Sequence, residues 1–104
     1  MPHIGYLEHY LGHVSTYWVQ ALDRHGNNLN VLNHTGTLTI DHPDADVQIV
    51  GEADTDRSAY LFTVDDTVTL TAGTWMFTST ATDTDGQDYL LSAGKITILE
   101  NPNG

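Results

Sequence analysis

The sequence predicts an all-β fold of the sandwich or barrel type, and three observations carry that prediction. Segments rich in threonine, valine, isoleucine, tyrosine and tryptophan, which favour a pleated and half-buried surface, recur along the chain. Clusters of aspartate, asparagine, glycine and proline separate them, and these are the residues that turns require. Two of the segments alternate with a period of two, and no stretch beyond residue 14 carries a convincing helical period. At 104 residues the chain has the size of one domain with one core.

Residues 1–13 stand apart. His3, Ile4, Tyr6, Leu7, Tyr10, Leu11 and Val14 fall roughly at helical spacing, but Gly5 and Gly12 weaken a helix. The expectation is a short helical or irregular N-terminal arm over 1–13, a sandwich over 14–100 and a frayed tail over 101–104. The first strand is predicted over 15–22, where Tyr17, Val19 and Ala21 share one face and Trp18, Gln20 and Leu22 the other. A single strand does not say which face is the core face, so either Trp18 or Tyr17 is the exposed aromatic. Further strands are predicted over 30–32, 35–41, 46–50, 59–64 and 67–70. The strand over 74–82 has the clearest pattern: Trp75, Phe77, Ser79 and Ala81 on one side, Met76, Thr78, Thr80 and Thr82 on the other. Trp75 and Phe77 are expected in the core, and the threonine row on a solvated or partner-covered face. Two short strands over 89–91 and 95–99 close the chain.

Charge narrows the partners. The formal charge is −11, of which residues 1–40 carry −1 and residues 41–104 carry −10. Five of the six histidines lie in the near-neutral part. An acidic surface repels phosphate, so nucleic acid is not an expected partner. There is no cysteine, hence no disulfide and no thiolate chemistry. No secretory segment follows Met1 and no apolar run approaches membrane-spanning length, so neither export nor a membrane anchor is expected.

The order of the motifs resembles a known family. Val19-Gln20-Ala21-Leu22-Asp23-Arg24-His25-Gly26-Asn27, then Leu29, Val31 and Leu32, then Gly36-Thr37-Leu38-Thr39-Ile40, form the opening half. Leu70, Ala72-Gly73-Thr74-Trp75, Asp85-Gly86 and Gly94-Lys95-Ile96-Thr97-Ile98 form the closing half. Over 14–99 this is similar to the immunoglobulin-like structural domains of tailed-phage virion proteins, as found at the N-terminus of baseplate upper proteins. The resemblance implies an immunoglobulin-like antiparallel β-sandwich with a structural, non-enzymatic role and a location in the virion. It covers neither the N-terminal arm nor any second, receptor-binding domain.

Candidate chemistry is weak by comparison. Asp83-Thr84-Asp85-Gly86-Gln87-Asp88 has carboxylates spaced like the start of a calcium loop, but position 94, where the late bidentate glutamate would fall, is glycine. A hairpin in which Asp83 caps its own turn and Gly86 takes positive φ explains the same residues. His9 and His13 would share a helical face, yet zinc needs three or four ligands. A histidine contact to the acidic half of another subunit is a further possibility for that pair. Ser15, Ser58, Ser79 and Ser92 lack a nucleophile elbow, and there is no phosphate-binding glycine loop. No metal, cofactor or catalytic residue is therefore expected.

What remains is contact. Ile4, Tyr6, Leu7, Tyr10, Leu11 and Trp18 are the expected interface residues, with strand edges as a second means of docking. The expected partners are other virion structural proteins, either major capsid or tail and baseplate subunits, with homo-oligomeric or lattice-placed copies. Capsid decoration ranks ahead of a tail or baseplate position, with the arm as an anchor ordered on contact. The rival readings are a carbohydrate-binding adhesion module, which would need Trp18, Tyr60 and Tyr89 exposed together, and a calcium-dependent adhesion module.

Overall fold

A computed structural model describes residues 3–23, 25–43, 45–65 and 67–100, with the side chains of His3 and Ile4 left aside. Among the described residues eight strands form two sheets. They are β1 (His3–Tyr10), β2 (Ser15–Gln20), β3 (Thr35–Ile40), β4 (Val47–Val50), β5 (Glu52–Asp54), β6 (Ala59–Val64), β7 (Gly73–Thr82) and β8 (Asp88–Leu99). One sheet has the order β1-β8-β7-β3-β4 and the other β2-β6-β5. All pairings are antiparallel except β1 with β8, which is parallel.

The core lies between the sheets and follows the period of two. From the larger sheet Leu38, Ile40, Ile49, Phe77, Ala81, Ile96 and Ile98 point inward; from the smaller one Tyr60, Phe62 and Val64 do. Tyr60 is the largest fully buried side chain, and its hydroxyl donates to the Val31 carbonyl at 3.0 Å, as a buried phenol requires. Gly36 and Gly51 make room for it: a Cβ at Gly36 would lie 2.5 Å from the Tyr60 ring, and one at Gly51 3.0 Å from the Tyr60 Cβ. Trp75, expected in the core with Phe77, is half-buried at its margin. Its indole donates to the Thr71 carbonyl at 3.1 Å, and its ring meets buried His42 edge-on at 5.5 Å. His42 Nε2 in turn accepts from the Thr71 amide at 3.1 Å, which ties the 41–43 loop to the loop before β7.

The clearest correction concerns the N-terminal arm. Residues His3–Tyr10 are neither helical nor irregular; they form β1, and the sandwich begins there rather than at residue 14. The period of two was hidden because the inward positions are Gly5, Leu7 and His9, only one of which is aliphatic. Gly5 stands opposite Gly94 of β8. A Cβ at Gly94 would fall on the Gly5 carbonyl oxygen and 2.7 Å from its carbon, so the two strands meet at this closeness only without a side chain there. The parallel pair also makes the sandwich mixed rather than purely antiparallel. Residues 30–32 are not a strand. Asn30 caps a 3-10 turn at Val31–Asn33, its side chain accepting from the Leu32 amide at 3.1 Å. Residues 67–70 form no strand, and the two short final strands are one, β8, interrupted only in register. Ser79 pairs with Ser92 but Thr80 with Leu90, so Leu91 is an extra residue and both Leu91 and Ser92 turn inward. The tail over 101–104 lies outside the described residues.

Two turns share one hydrogen-bond pattern. Asp23 Oδ1 accepts from the His25 and Asn27 amides, and Asp83 Oδ1 accepts from the Asp85 and Gln87 amides, all within 2.8–3.0 Å. In each, the glycine three residues on donates to the aspartate carbonyl and takes a φ near +85°, with Gly26 at 83° and Gly86 at 85°. The Asn27 amide leads in holding the Asp23 carboxyl below its usual range. The aspartate of each loop is thus committed to its own turn.

Candidate docking surface

The six expected contact residues do not form one patch. Side chains on β1 alternate, and Tyr6 and Tyr10 fall on the outer face of the five-stranded sheet, 58% and 39% exposed. Leu7 and Leu11 are half-buried and pack against the core, so they serve the fold first. The Leu11 amide donates to the Leu99 carbonyl at 2.9 Å, extending the parallel pairing past β1. The Ile4 side chain lies outside the described residues. Trp18 is on the opposite sheet, 45% exposed, with the Arg57 guanidinium 4.2 Å above its ring. Tyr17 is the inward aromatic of β2: its hydroxyl donates to the Glu8 carbonyl across the gap between the sheets, and its burial raises its pKa above the usual tyrosine value.

The histidine pair is split by the same geometry. His9 is 3% exposed, with Nδ1 2.8 Å from Ser15 Oγ, whereas His13 is exposed in the turn that follows β1. A buried His9 cannot face another subunit. Among the described residues no group of three or more histidines or carboxylates is placed to hold a metal ion, and no helix is long and apolar enough to cross a membrane.

The surface that sequence reasoning only partly found is the outer face of the five-stranded sheet. The threonine row of β7 (Thr74, Thr78, Thr80 and Thr82) lies beside that of β3, with Thr35 opposite Thr82, Thr37 opposite Thr80 and Thr39 opposite Thr78. Thr97 of β8 continues the array: its hydroxyl receives the Tyr6 hydroxyl proton at 2.8 Å and lies 3.1 Å from Thr74 Oγ1. Exposed Met76, Val50 and Leu90 lie among the threonines, and Tyr6 and Tyr10 border them on β1. The strands of this sheet hold only Glu8, Asp88 and Lys95 as charged residues, a net of −1 out of −11 for the chain. On a strongly acidic protein this is a broad, charge-poor face mixing methyl, hydroxyl, thioether and phenol groups, with Glu8 and Lys95 on it and Asp41, Asp46 and Asp88 at its borders. Charge depletion with tyrosine and methionine is the composition of an interface centre. The array was legible on β7 alone; that β3 doubles it depends on strand register, which no local pattern carries.

No protein-family model matches this chain, and no curated protein matches its sequence.

Proposed function

We propose that the chain is an immunoglobulin-like, non-enzymatic structural module of a tailed-phage virion that docks on neighbouring virion subunits. The observation that carries the docking reading is the charge-poor threonine face of the five-stranded sheet, set on a chain of charge −11. Such a face opposes a partner with few carboxylates, while the acidic remainder discourages non-specific contact. The strand order supports the immunoglobulin-like part. Strands β2, β6 and β5 correspond to B, E and D of that fold, and β3, β7 and β8 to C, F and G, with β4 added beside C as in variable-type domains. The phage assignment rests on the motif order given above. Capsid decoration is preferred to a tail or baseplate position, because an acidic exterior suits an outward-facing subunit.

The glycan-binding reading has less to stand on. Of its three aromatics Tyr60 is 1% exposed, Tyr89 is half-buried with its ring 5.7 Å from that of His34, and Trp18 lies on the other sheet.

Particles purified from a culture carrying this gene should contain the chain in fixed ratio to the major capsid protein, measured by quantitative mass spectrometry. Its absence from particles would overturn the reading. Met76→Glu combined with Thr78→Glu places two carboxylates on exposed positions of the proposed face. Folding stability should change by no more than about 0.5 kcal/mol per site, as for ordinary surface substitutions. Incorporation should drop about tenfold or more, because buried unpaired charge opposes docking.

A further inference from the structure

The inner side of the larger sheet is not evenly covered. β1 and β8 place Gly5, Gly94 and Ser92 where the next inward positions carry Leu7, Ile96 and Ile98. Facing them, Tyr17 turns its hydroxyl to the Glu8 carbonyl, towards the 11–14 turn, and Val19 is the next inward side chain of β2. The Phe77 ring comes to 3.9 Å from where a Gly5 Cβ would stand. Between the sheets this leaves a cleft of about 290 Å³, lined by Gly5, Leu7, Phe77, Ser92 and residues 17–20 of β2. Its lining is mostly apolar, and none of these residues is charged.

One polar feature belongs to this cleft. Ser79 is fully buried and Ser92 is 7% exposed, and their hydroxyls bond to each other inside an otherwise apolar core. Buried polar groups meet their hydrogen-bonding needs with few exceptions. Two serines bring two O–H donors, and the bond between them uses one. Among the described residues neither hydroxyl has a further partner, so one hydrogen of the pair is without an acceptor. Ser79 is enclosed and does not line the cleft, whereas Ser92 does. With Ser79 donating to Ser92, the remaining hydrogen is on Ser92 and turns into the cleft. A donor there calls for an oxygen acceptor on an apolar body. Water answers only the first demand. A buried water makes about three hydrogen bonds, but the Tyr17 hydroxyl already donates to Glu8 and Gln20 is exposed.

We propose that the cleft binds a small uncharged molecule with an apolar body and one oxygen acceptor, of the class of a ketone or ester carried on a ring. The oxygen accepts from the Ser92 hydroxyl, which Ser79 holds from the other side. The body lies between Phe77 and Leu7 of the larger sheet and Tyr17 and Val19 of the smaller one. A charged molecule is disfavoured, because the lining offers no ion to pair with it and burial of an unpaired charge is costly. Volume sets the size: about 150 Å³ is enough for benzene, so 290 Å³ takes a ring with a short chain attached. Apolar walls with very few placed polar groups are the usual composition of a small-ligand site. The site is separate from the threonine face, which lies on the outer side of the larger sheet, and it stands whether or not that face docks.

The test is an NMR titration of the isolated protein with two probes. One is benzylacetone, a phenyl ring on a short chain that ends in a methyl ketone; the other is toluene, which has no oxygen. Millimolar benzylacetone should shift the amides of residues 5–7, 17–20, 77 and 92, with nuclear Overhauser contacts from its ring to Phe77. Ser79→Ala combined with Ser92→Ala removes both hydroxyls at once, which orphans neither partner and should keep the fold. In that double variant benzylacetone should bind about fivefold to tenfold more weakly, while toluene binds as before. Gly5→Val fills the cleft from a position where a Cβ meets nothing closer than 3.9 Å, and should abolish binding of both probes. Three results would overturn the assignment: no shifts in these amides with millimolar benzylacetone, the same response of both probes to the double serine change, or a long-lived water on Ser92 that benzylacetone does not displace. Because the protein is titrated alone, the outcome is independent of whether the chain is found in particles.

Discussion

Replacing Gly94 with alanine should be among the most damaging single-methyl changes this protein can suffer. The added Cβ would strike backbone, not side chain: it falls on the Gly5 carbonyl oxygen, 2.7 Å from the carbon and 2.9 Å from the Gly5 nitrogen. No rotamer change relieves that, so β1 must move away from β8. The neighbouring residues resist, because Leu7 packs on the core and His9 is buried two positions further along. Overpacking costs about 1–3 kcal/mol where side chains can adjust, and the upper end or more is expected where backbone blocks backbone. For a domain of this size about 3 kcal/mol lowers Tm by some 10–20 °C. Gly5→Ala is the control, since its Cβ meets only the Phe77 ring at 3.9 Å and should leave Tm nearly unchanged. Thermal melts of the two variants settle the point; equal behaviour would mean that the closeness of β1 and β8 is not set by Gly94.

The same glycine explains why half of this architecture was readable from the chain and half was not. β7 announces itself because its inward residues Phe77, Ser79 and Ala81 alternate with exposed or half-exposed Met76, Thr78, Thr80 and Thr82. β1 does not, because its inward positions answer to a neighbouring strand. Gly5 stands beside Gly94 with no side chain of its own and His9 faces Ser15, so hydrophobic periodicity carries no signal. β8 was split in two for a related reason. The extra residue at Leu91 shifts the alternation by one, and a pattern that changes phase looks like two strands. Turn chemistry was readable throughout, since Asp23 and Asp83 are satisfied by amides within four residues of themselves.

The proposed docking surface divides along the same line. Composition alone shows that threonine recurs with a period of two over 78–82, and that this row should be solvated or covered. It does not show that Thr35, Thr37 and Thr39 lie beside that row, or that Tyr6 reaches the same network through Thr97. The choice between Tyr17 and Trp18 could not be made locally either. Tyr17 turns inward because its hydroxyl finds the Glu8 carbonyl on β1, a strand that was not expected to exist, and Trp18 is then outward with Arg57 above it.

Removal of residues 1–11 should unfold the domain rather than merely release it from a partner. If this segment were an anchor ordered only on contact, its loss would abolish incorporation and leave the sandwich intact. In the structure it is a full edge strand: eight residues, 3–10, pair in register with 92–99 of β8. Its loss exposes part of the Ile96 and Ile98 surface, removes Leu7 and Leu11 from the core margin, and leaves the inward-facing Tyr17 hydroxyl without the Glu8 carbonyl. Two half-buried leucines contribute about 1 kcal/mol each. A ladder of this length adds several bonds at about 0.5–1.5 kcal/mol net apiece. The sum, about 5 kcal/mol or more, is comparable with the whole stability of a small domain. The truncated chain should therefore lose near-UV circular dichroism and amide dispersion at 25 °C. A truncated protein that keeps both, and fails only to join particles, would restore the anchor and make β1 an element that folds on binding. Because β1 belongs to the fold, Tyr6 and Tyr10 are held rigidly at the border of the threonine face, and a partner meeting them has no disorder to overcome.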